Sequence, residues 1–221
     1  MEYKVFALRV FVTDWERAIR IYSEILGMAI AYRSDEMGWA QMAPGEGQLA
    51  LERVKPGENA MPITVRPASE ADAVVACDVL RRSIRELCVA DHGHDEQVLS
   101  AWLANKTPEN VRAWITSASS LAVVAVDGSE VRGFGLVQRD GEIQMCYVVP
   151  EVQYRGAGKL MLRALEKQAA GWGLNSVRLT SSVTARRFYE RNGYVQSGEP
   201  KSEYGLRGVY PVSKDIAPTS K

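Results

Sequence analysis

Ala18, Ile19, Tyr22, Ile25 and Leu26 repeat at helical spacing behind a capping-box sequence, Thr13-Asp14-Trp15-Glu16, and Gly27 closes the pattern. The alternation around this helix predicts a strand over 3–12 before it and short strands after it. These cover Ala29–Ser34, Gly38–Met42 and Gln48–Val54, parted by Asp35-Glu36 and by Pro44-Gly45-Glu46-Gly47. The polar, proline-containing stretch Lys55–Pro62 then breaks the pattern and reads as a linker. Beyond it Ile63–Arg66 reads as a strand, and Ser69 caps a helix to about Val89 with Ala73, Val74, Cys77, Leu80 and Ile84 inward. Helical regions follow over Asp95–Ala104 and Glu109–Ser117. Leu121–Val126 and Val131–Gln138 flank Asp127-Gly128-Ser129 as a hairpin, and Glu142–Val149 is a third strand. Gly156-Ala157-Gly158 opens a helix over Lys159–Ala170. Ser176–Thr180 is a strand, Thr184–Arg191 a helix closed by Asn192-Gly193, and Tyr194–Val212 one or two further strands. This divides the chain into a small domain over 1–55, a linker over 56–62, a larger α+β domain over 63–215 and a tail over 216–221.

At 221 residues, 46% hydrophobic and 24% charged, the chain has the apolar content to build cores. Lys plus Arg and Asp plus Glu both total 27, so no net field gathers phosphates or anionic lipid, and nucleic acid is not an expected partner. The apolar stretches are too short to span a bilayer and the start lacks a secretory pattern, so no membrane is expected and the reading is a soluble, cytoplasmic protein. Three widely spaced cysteines, Cys77, Cys88 and Cys146, suit reduced thiols. With His92 and His94 they do not reproduce a zinc-ligand spacing, so no metal is expected.

The chemistry is concentrated where the strand ending in Val149 meets Gln153-Tyr154-Arg155-Gly156-Ala157-Gly158-Lys159. Glycines at a strand-to-helix turn expose successive amides at the positive end of a helix dipole, a recipe for holding a pyrophosphate. A dinucleotide fingerprint would need glycine where Met161 stands, and a nucleotide-hydrolase loop would need Ser or Thr where Leu160 stands. The stretch instead resembles the Gln/Arg-x-x-Gly-x-Gly/Ala loop of the GCN5-related N-acetyltransferase superfamily. A second motif, Ser182-Val183-Thr184-Ala185-Arg186-Arg187-Phe188-Tyr189 through Asn192-Gly193-Tyr194, resembles the family's Asn-x-x-Ala-x-x-Phe-Tyr-x-x-x-Gly-Phe segment, with Ser182 replacing the asparagine.

The resemblance implies an acetyltransferase domain with a mixed, mostly antiparallel sheet splayed at its centre and flanked by helices. It implies that Cys146, Tyr147 and Val148 pair with the pantetheine arm of acetyl-CoA and that the amides of Arg155 through Lys159 hold its pyrophosphate. Gln153, Tyr154, Ser182, Ala185 and Phe188 complete the expected cofactor site. Tyr189 is then either the acid that protonates the departing thiolate or a core aromatic, and Phe188 is better read as packing. Glu142 matches the catalytic glutamate of the histone-acetylating branch, or is a solvated strand end. Glu86, Asp91 and His92, with His94, fall where the family builds one wall of its acceptor cleft, or form a polar helix-ending loop. Cys146 as a covalent acyl carrier is disfavoured, because it lies on the strand expected to hold the cofactor.

Residues 6–54 resemble a single βαβββ module of the vicinal oxygen chelate superfamily, which includes glyoxalase I and bleomycin-binding proteins. The resemblance rests on Val10 through Ala18, Tyr22 and Leu26-Gly27-Met28. Metal-using members carry a histidine at the position of Ala7 and a glutamate near Glu52; with no histidine before residue 92, a metal centre there is not expected. Members use two modules, so this one either pairs with a twin in a homodimer or lies against the second domain, with Tyr32 and Trp39 available to line a pocket. The expected function is transfer of an acetyl group from acetyl-CoA, as co-substrate, to a primary amine of a small molecule or peptide. The alternative is a noncatalytic acyl-CoA sensor whose first module captures a ligand or dimerises.

Overall fold

The computed structural model describes residues 8–12, 14–43, 49–53, 63–203 and 206–216. The chain divides into two compact units, 1–60 and 61–221. The expected linker, residues 217–221 of the tail, Thr13 and Ala7 lie outside the described residues.

In the first unit, β1 (Leu8–Val12) is followed by α1 (Trp15–Arg20), a π-helical turn at Ile21–Ile25, β2 (Ala29–Ser34), β3 (Trp39–Ala43) and β4 (Leu49–Arg53). The sheet order is β1-β4-β3-β2, with β1 parallel to β4 and the other pairs antiparallel. Trp15, Ala18 and Ile19 of α1 pack on Ala40, Met42 and Leu51. The helix is capped by Asp14, whose carboxylate accepts from the Arg17 amide at 3.2 Å, one residue later than the capping-box expectation. A second correction concerns Ile25 and Leu26, which are 71% and 59% exposed rather than inward. The i to i+5 bonding of the π turn adds a residue to that turn and carries the stripe off the sheet.

The second unit starts with β5 (Thr64–Pro67), a 3₁₀ turn at Glu70–Asp72, and α2 (Ala73–Leu87). Then come α3 (Val89–His92), α4 (Glu96–Leu103), α5 (Pro108–Thr116), β6 (Ser120–Asp127), β7 (Glu130–Gln138) and β8 (Ile143–Val148). The chain continues through α6 (Ala157–Gly171), β9 (Ser176–Ser181), α7 (Arg186–Arg191), β10 (Val195–Gln196), β11 (Lys201–Glu203) and β12 (Leu206–Asp215). β5-β6-β7-β8 form one antiparallel sheet, while β12 pairs antiparallel with β9, β10 and β11. This is the expected α+β architecture of antiparallel sheets flanked by helices.

α6 lies on β7 where Gly133 and Gly135 present no side chain. A Cβ on Gly133 would come within 2.9 Å of the Met161 methyl, and one on Gly135 within 3.1 Å of Leu165. Phe134 points by alternation to the opposite face, toward α2, and is fully buried. On α2 the inward stripe is Ala73, Ala76, Cys77, Leu80 and Ile84. Val74, expected inward, is 60% exposed, because it sits about 100° around the helix from Ala73.

Asp72 anchors the start of α2. Its carboxylate accepts from both guanidinium nitrogens of Arg66 at 2.8 Å, and from the Ser69 amide and hydroxyl at 2.7 and 2.9 Å. The Arg66 hydrogen bonds hold this carboxyl well below the usual carboxylate range, against the opposing effect of burial. The folded pKa is depressed, so the stabilisation is present above the unfolded value near 3.9 and disappears as pH falls through the folded value. Asp72→Ala is expected to lower stability at pH 7 by about 1–2 kcal/mol. The gap to the parent should shrink on acidification below about pH 4, which chemical denaturation at several pH values measures.

Candidate functional site

β8 and β9 run parallel and touch by a main-chain bridge only at Glu142 and Arg178, beside the Arg178 amide's 3.0 Å bond to the Gly141 carbonyl. Beyond that vertex no ladder joins them among the described residues, so the edge of β8 at Cys146–Val148 is open toward β9. Leu136 opposes Met145 while Val137 opposes Ile143, leaving Gln144 as an extra residue in β8. Such a bulge, in the ladder with β7, re-aims the residues after it. Cys146 faces α6, its thiol 3.7 Å from the Gly158 carbonyl, and burial pushes that thiol up to about 12. Tyr147 packs against the cluster of Ile84, Cys88, Trp102, Leu103 and Val209.

At the same end the chain turns through Pro150–Gln153 into α6. Tyr154 is 95% exposed with φ +62°, and Gly156 caps the helix at φ +90°, a region that glycine enters without steric cost. The amides of Gly156, Ala157, Gly158 and Lys159 have no acceptor among the described residues, as expected for the first turn of a helix. The Arg155 amide, expected to join them, instead donates to the Val152 carbonyl at 3.2 Å. The Arg155 guanidinium bonds Asp127 at 2.6 Å and ties the loop to the β6–β7 hairpin.

The second motif closes on this turn. The Phe188 ring lies over Gly158, where a Cβ would come within 3.3 Å of it. Tyr189 is 7% exposed and stacks edge-on with Phe188 at 5.1 Å and Tyr194 at 5.5 Å. Burial, followed by the nearby Cys146, Tyr147, Tyr194 and Cys88, raises its hydroxyl well above the ordinary phenol range. Ser182 accepts from the Ala185 amide at 3.3 Å, so it caps the turn into α7. The Gln153 side chain makes no hydrogen bond among the described residues.

The structure thus gathers Cys146, Gly158, Phe188 and Tyr189 at one point and sets the acidic candidates apart. Glu142 sits at the vertex of the split, about 13 Å along β8 from Cys146 at the rise of an extended strand. Its carboxylate has no partner among the described residues, whereas neighbouring Asp140 pairs with Arg178. Asp91 accepts from the Val183 and Thr184 amides at 2.7 and 3.3 Å, holding the β9–α7 loop. Glu86 pairs with Arg82, which also reaches Glu151. His92 is 3% exposed.

A basic recess of about 230 Å³ beside α6 was missed by the motif reading. Lys159 and Arg163 share one helix face there with Arg191 and Lys214 opposite, while Glu166 neutralises Lys214 at 2.9 Å and accepts from Tyr194 at 3.0 Å. The i, i+4 spacing of Lys159 and Arg163 was the available signal; Arg191 and Lys214 are remote in sequence. Among the described residues, no cluster of histidine, cysteine and carboxylate residues suits a metal ion, and no helix is long and apolar enough to cross a membrane.

A family model described as an acetyltransferase (GNAT) domain matches residues 89–210, and one for the glyoxalase/bleomycin resistance protein/dioxygenase superfamily matches residues 4–127. The two overlap over 89–127. There β6 pairs with β5 and β7, so the shared stretch is structurally part of the second unit. Among solved structures, the chain is similar to a GCN5-related N-acetyltransferase from Rhodopseudomonas palustris, at 25% identity and TM-score 0.63, over 72% of this chain and 98% of that one. It also shares the fold of a PaiA N-acetyltransferase from Thermoplasma acidophilum in complex with coenzyme A, at 21% identity and TM-score 0.59, over 71% of this chain and all of that one. YncA of Salmonella typhimurium, with its cofactor acetyl-CoA, matches at 15% identity and TM-score 0.56, over 73% of this chain and 98% of that one. A comparison with curated proteins finds no match. The open strand edge, the turn of free amides and these matches agree: the chain belongs to the GNAT acetyltransferases, and its N-terminal unit to the glyoxalase/bleomycin resistance protein/dioxygenase superfamily.

Proposed function

We propose that the second unit moves an acetyl group from acetyl-CoA to a primary amine of a small molecule or peptide, by direct attack in a ternary complex. The observation that carries this reading is the split between β8 and β9, with an open strand edge and the acceptor-free amides of Gly156–Lys159 at one end of it. The open edge at Cys146–Val148 suits the amide-bearing pantetheine arm. The amides suit the pyrophosphate, and the Lys159, Arg163 and Arg191 recess suits a further phosphate of the same molecule.

In the step itself the neutral amine nitrogen attacks the thioester carbonyl carbon, a tetrahedral oxyanion forms, and the carbon–sulfur bond breaks. Tyr189 gives its hydroxyl proton to the leaving sulfur, and Glu142, through intervening water, takes the proton shed by the nitrogen. The burial that raises Tyr189 would raise a thiolate departing beside it as well, as it does the Cys146 thiol, so donor and acceptor stay matched. Holding both substrates together supplies much of the rate.

An acyl-cysteine route through Cys146 is disfavoured, because a thiol held near 12 is almost wholly protonated at neutral pH. Cys146→Ala is expected to keep turnover within about threefold of the parent, and mass spectrometry after mixing with acetyl-CoA should find no stable acetyl adduct at residue 146. Release of free CoA, followed across a panel of amines, tests the reading. Turnover with some amine supports it, whereas acetyl-CoA binding without turnover of any amine favours an acyl-CoA sensor. For the first unit we propose a homodimer contact. Ile25, Leu26 and Ile30 are exposed beside edge strand β2, and light scattering of the full chain should give twice the mass of one 221-residue chain.

A further inference from the structure

A cleft of about 550 Å³ opens beside α2 and α4, and no residue of the β8–β9 split lines it. Arg81 and Arg85 enter it one turn apart on α2. Glu96, Leu99 and Leu103 enter from one stripe of α4. Arg81 donates to the Leu103 and Lys106 carbonyls at 3.4 and 3.0 Å, which fixes one edge of its guanidinium. Arg85 makes no hydrogen bond or ion pair among the described residues, so its five donors are available.

His92 is also on the cleft wall. Its Nδ1 accepts from the His94 amide at 3.1 Å, which puts the ring proton on Nε2. Nε2 is buried and has no partner among the described residues. With almost no accessible surface, Nε2 is closed to a molecule in the cleft, and the ring serves as part of its wall. Two guanidinium groups against the Glu96 carboxylate leave a single excess positive charge, which balances a monoanion and would be overbalanced by a phosphate dianion. Leu99 and Leu103 give the remaining wall an apolar surface.

We propose that this cleft binds a small amphipathic monocarboxylate, its carboxylate held by Arg85 and Arg81 and its apolar body against Leu99 and Leu103. Bidentate geometry makes arginine the fitting partner for a carboxylate.

Calorimetric titration of the full chain with hexanoate, inorganic phosphate and hexylamine tests this. Hexanoate is expected to bind one to one, and Arg85→Gln to weaken it by about tenfold or more through the loss of a charge-assisted bond. Arg20→Gln, on the first unit, should leave it unchanged. Arg85 is exposed at the mouth of the cleft, so its variant should keep the fold. Absence of saturable hexanoate binding at millimolar concentration, binding that survives Arg85→Gln, or equal binding of phosphate or hexylamine would each overturn the proposal. The titration uses no acetyl-CoA, so failure of the acetyl-transfer reading would leave its outcome intact.

Discussion

Tyr189→Phe is expected to lower the turnover number by about 10²-fold or more while leaving acetyl-CoA affinity within a few-fold of the parent, the usual scale for losing a positioned proton donor. The substitution removes one oxygen and keeps the ring that stacks on Phe188 and Tyr194, so the fold should hold. A purely structural Tyr189 would instead leave turnover nearly unchanged. Because burial raises the hydroxyl well above the ordinary phenol range, Tyr189 stays protonated through neutral and moderately alkaline pH. An alkaline fall in turnover below pH 10 would therefore belong to another group, and it should persist in the residual activity of Tyr189→Phe. If turnover falls without loss of cofactor binding, the acid assignment stands. If binding collapses as well, Tyr189 acts by shaping the site.

Phe134→Ala carries the largest expected cost in stability, about 3–5 kcal/mol. The ring is the largest fully buried side chain of the molecule's described core and sits at the middle of β7. Its neighbours in sequence, Gly133 and Gly135, bring α6 close on the other face. The helix there already meets the strand backbone, so little can move in to fill the void from that side. The transition of the second unit should fall by on the order of 10 °C in calorimetry, with the transition of the first unit unmoved. A shift of only one or two degrees would mean that the core collapses around the missing ring.

Most of the element order was legible in the chain because each element carried its own local punctuation. Thr107-Pro108 opened α5, Asp127-Gly128 turned β6 into β7, Gly156 opened α6, and Asn192-Gly193 ended α7. The misplacements arose where local pattern met longer-range geometry. Ile25 and Leu26 left the core through a π turn that no apolar spacing announces, and Val74 left it by one residue of helical phase. The Arg155 amide was expected to be free, and a turn bond to Val152 uses it. Asp91 holds the Val183 and Thr184 amides and Glu86 pairs with Arg82. The partners of Asp91 lie 92 and 93 residues along the chain, where no local pattern shows them, whereas the i, i+4 spacing of Arg82 and Glu86 was an available signal.

By itself the sequence determined the glycine turn of 153–159 and the aromatic pair Phe188-Tyr189, because spacing, turn chemistry and capping are properties of neighbouring residues. Only the tertiary structure decided which groups share a site. The opening between β8 and β9 starts from one bridge between residues more than 30 apart in the chain. Burial of Tyr189 beside Cys146, and of His92 on a cleft wall, likewise depends on helices and strands distant in the chain packing together. Hydrogen bonding and desolvation act through space, so side-chain chemistry was settled by packing while the elements were settled by local pattern.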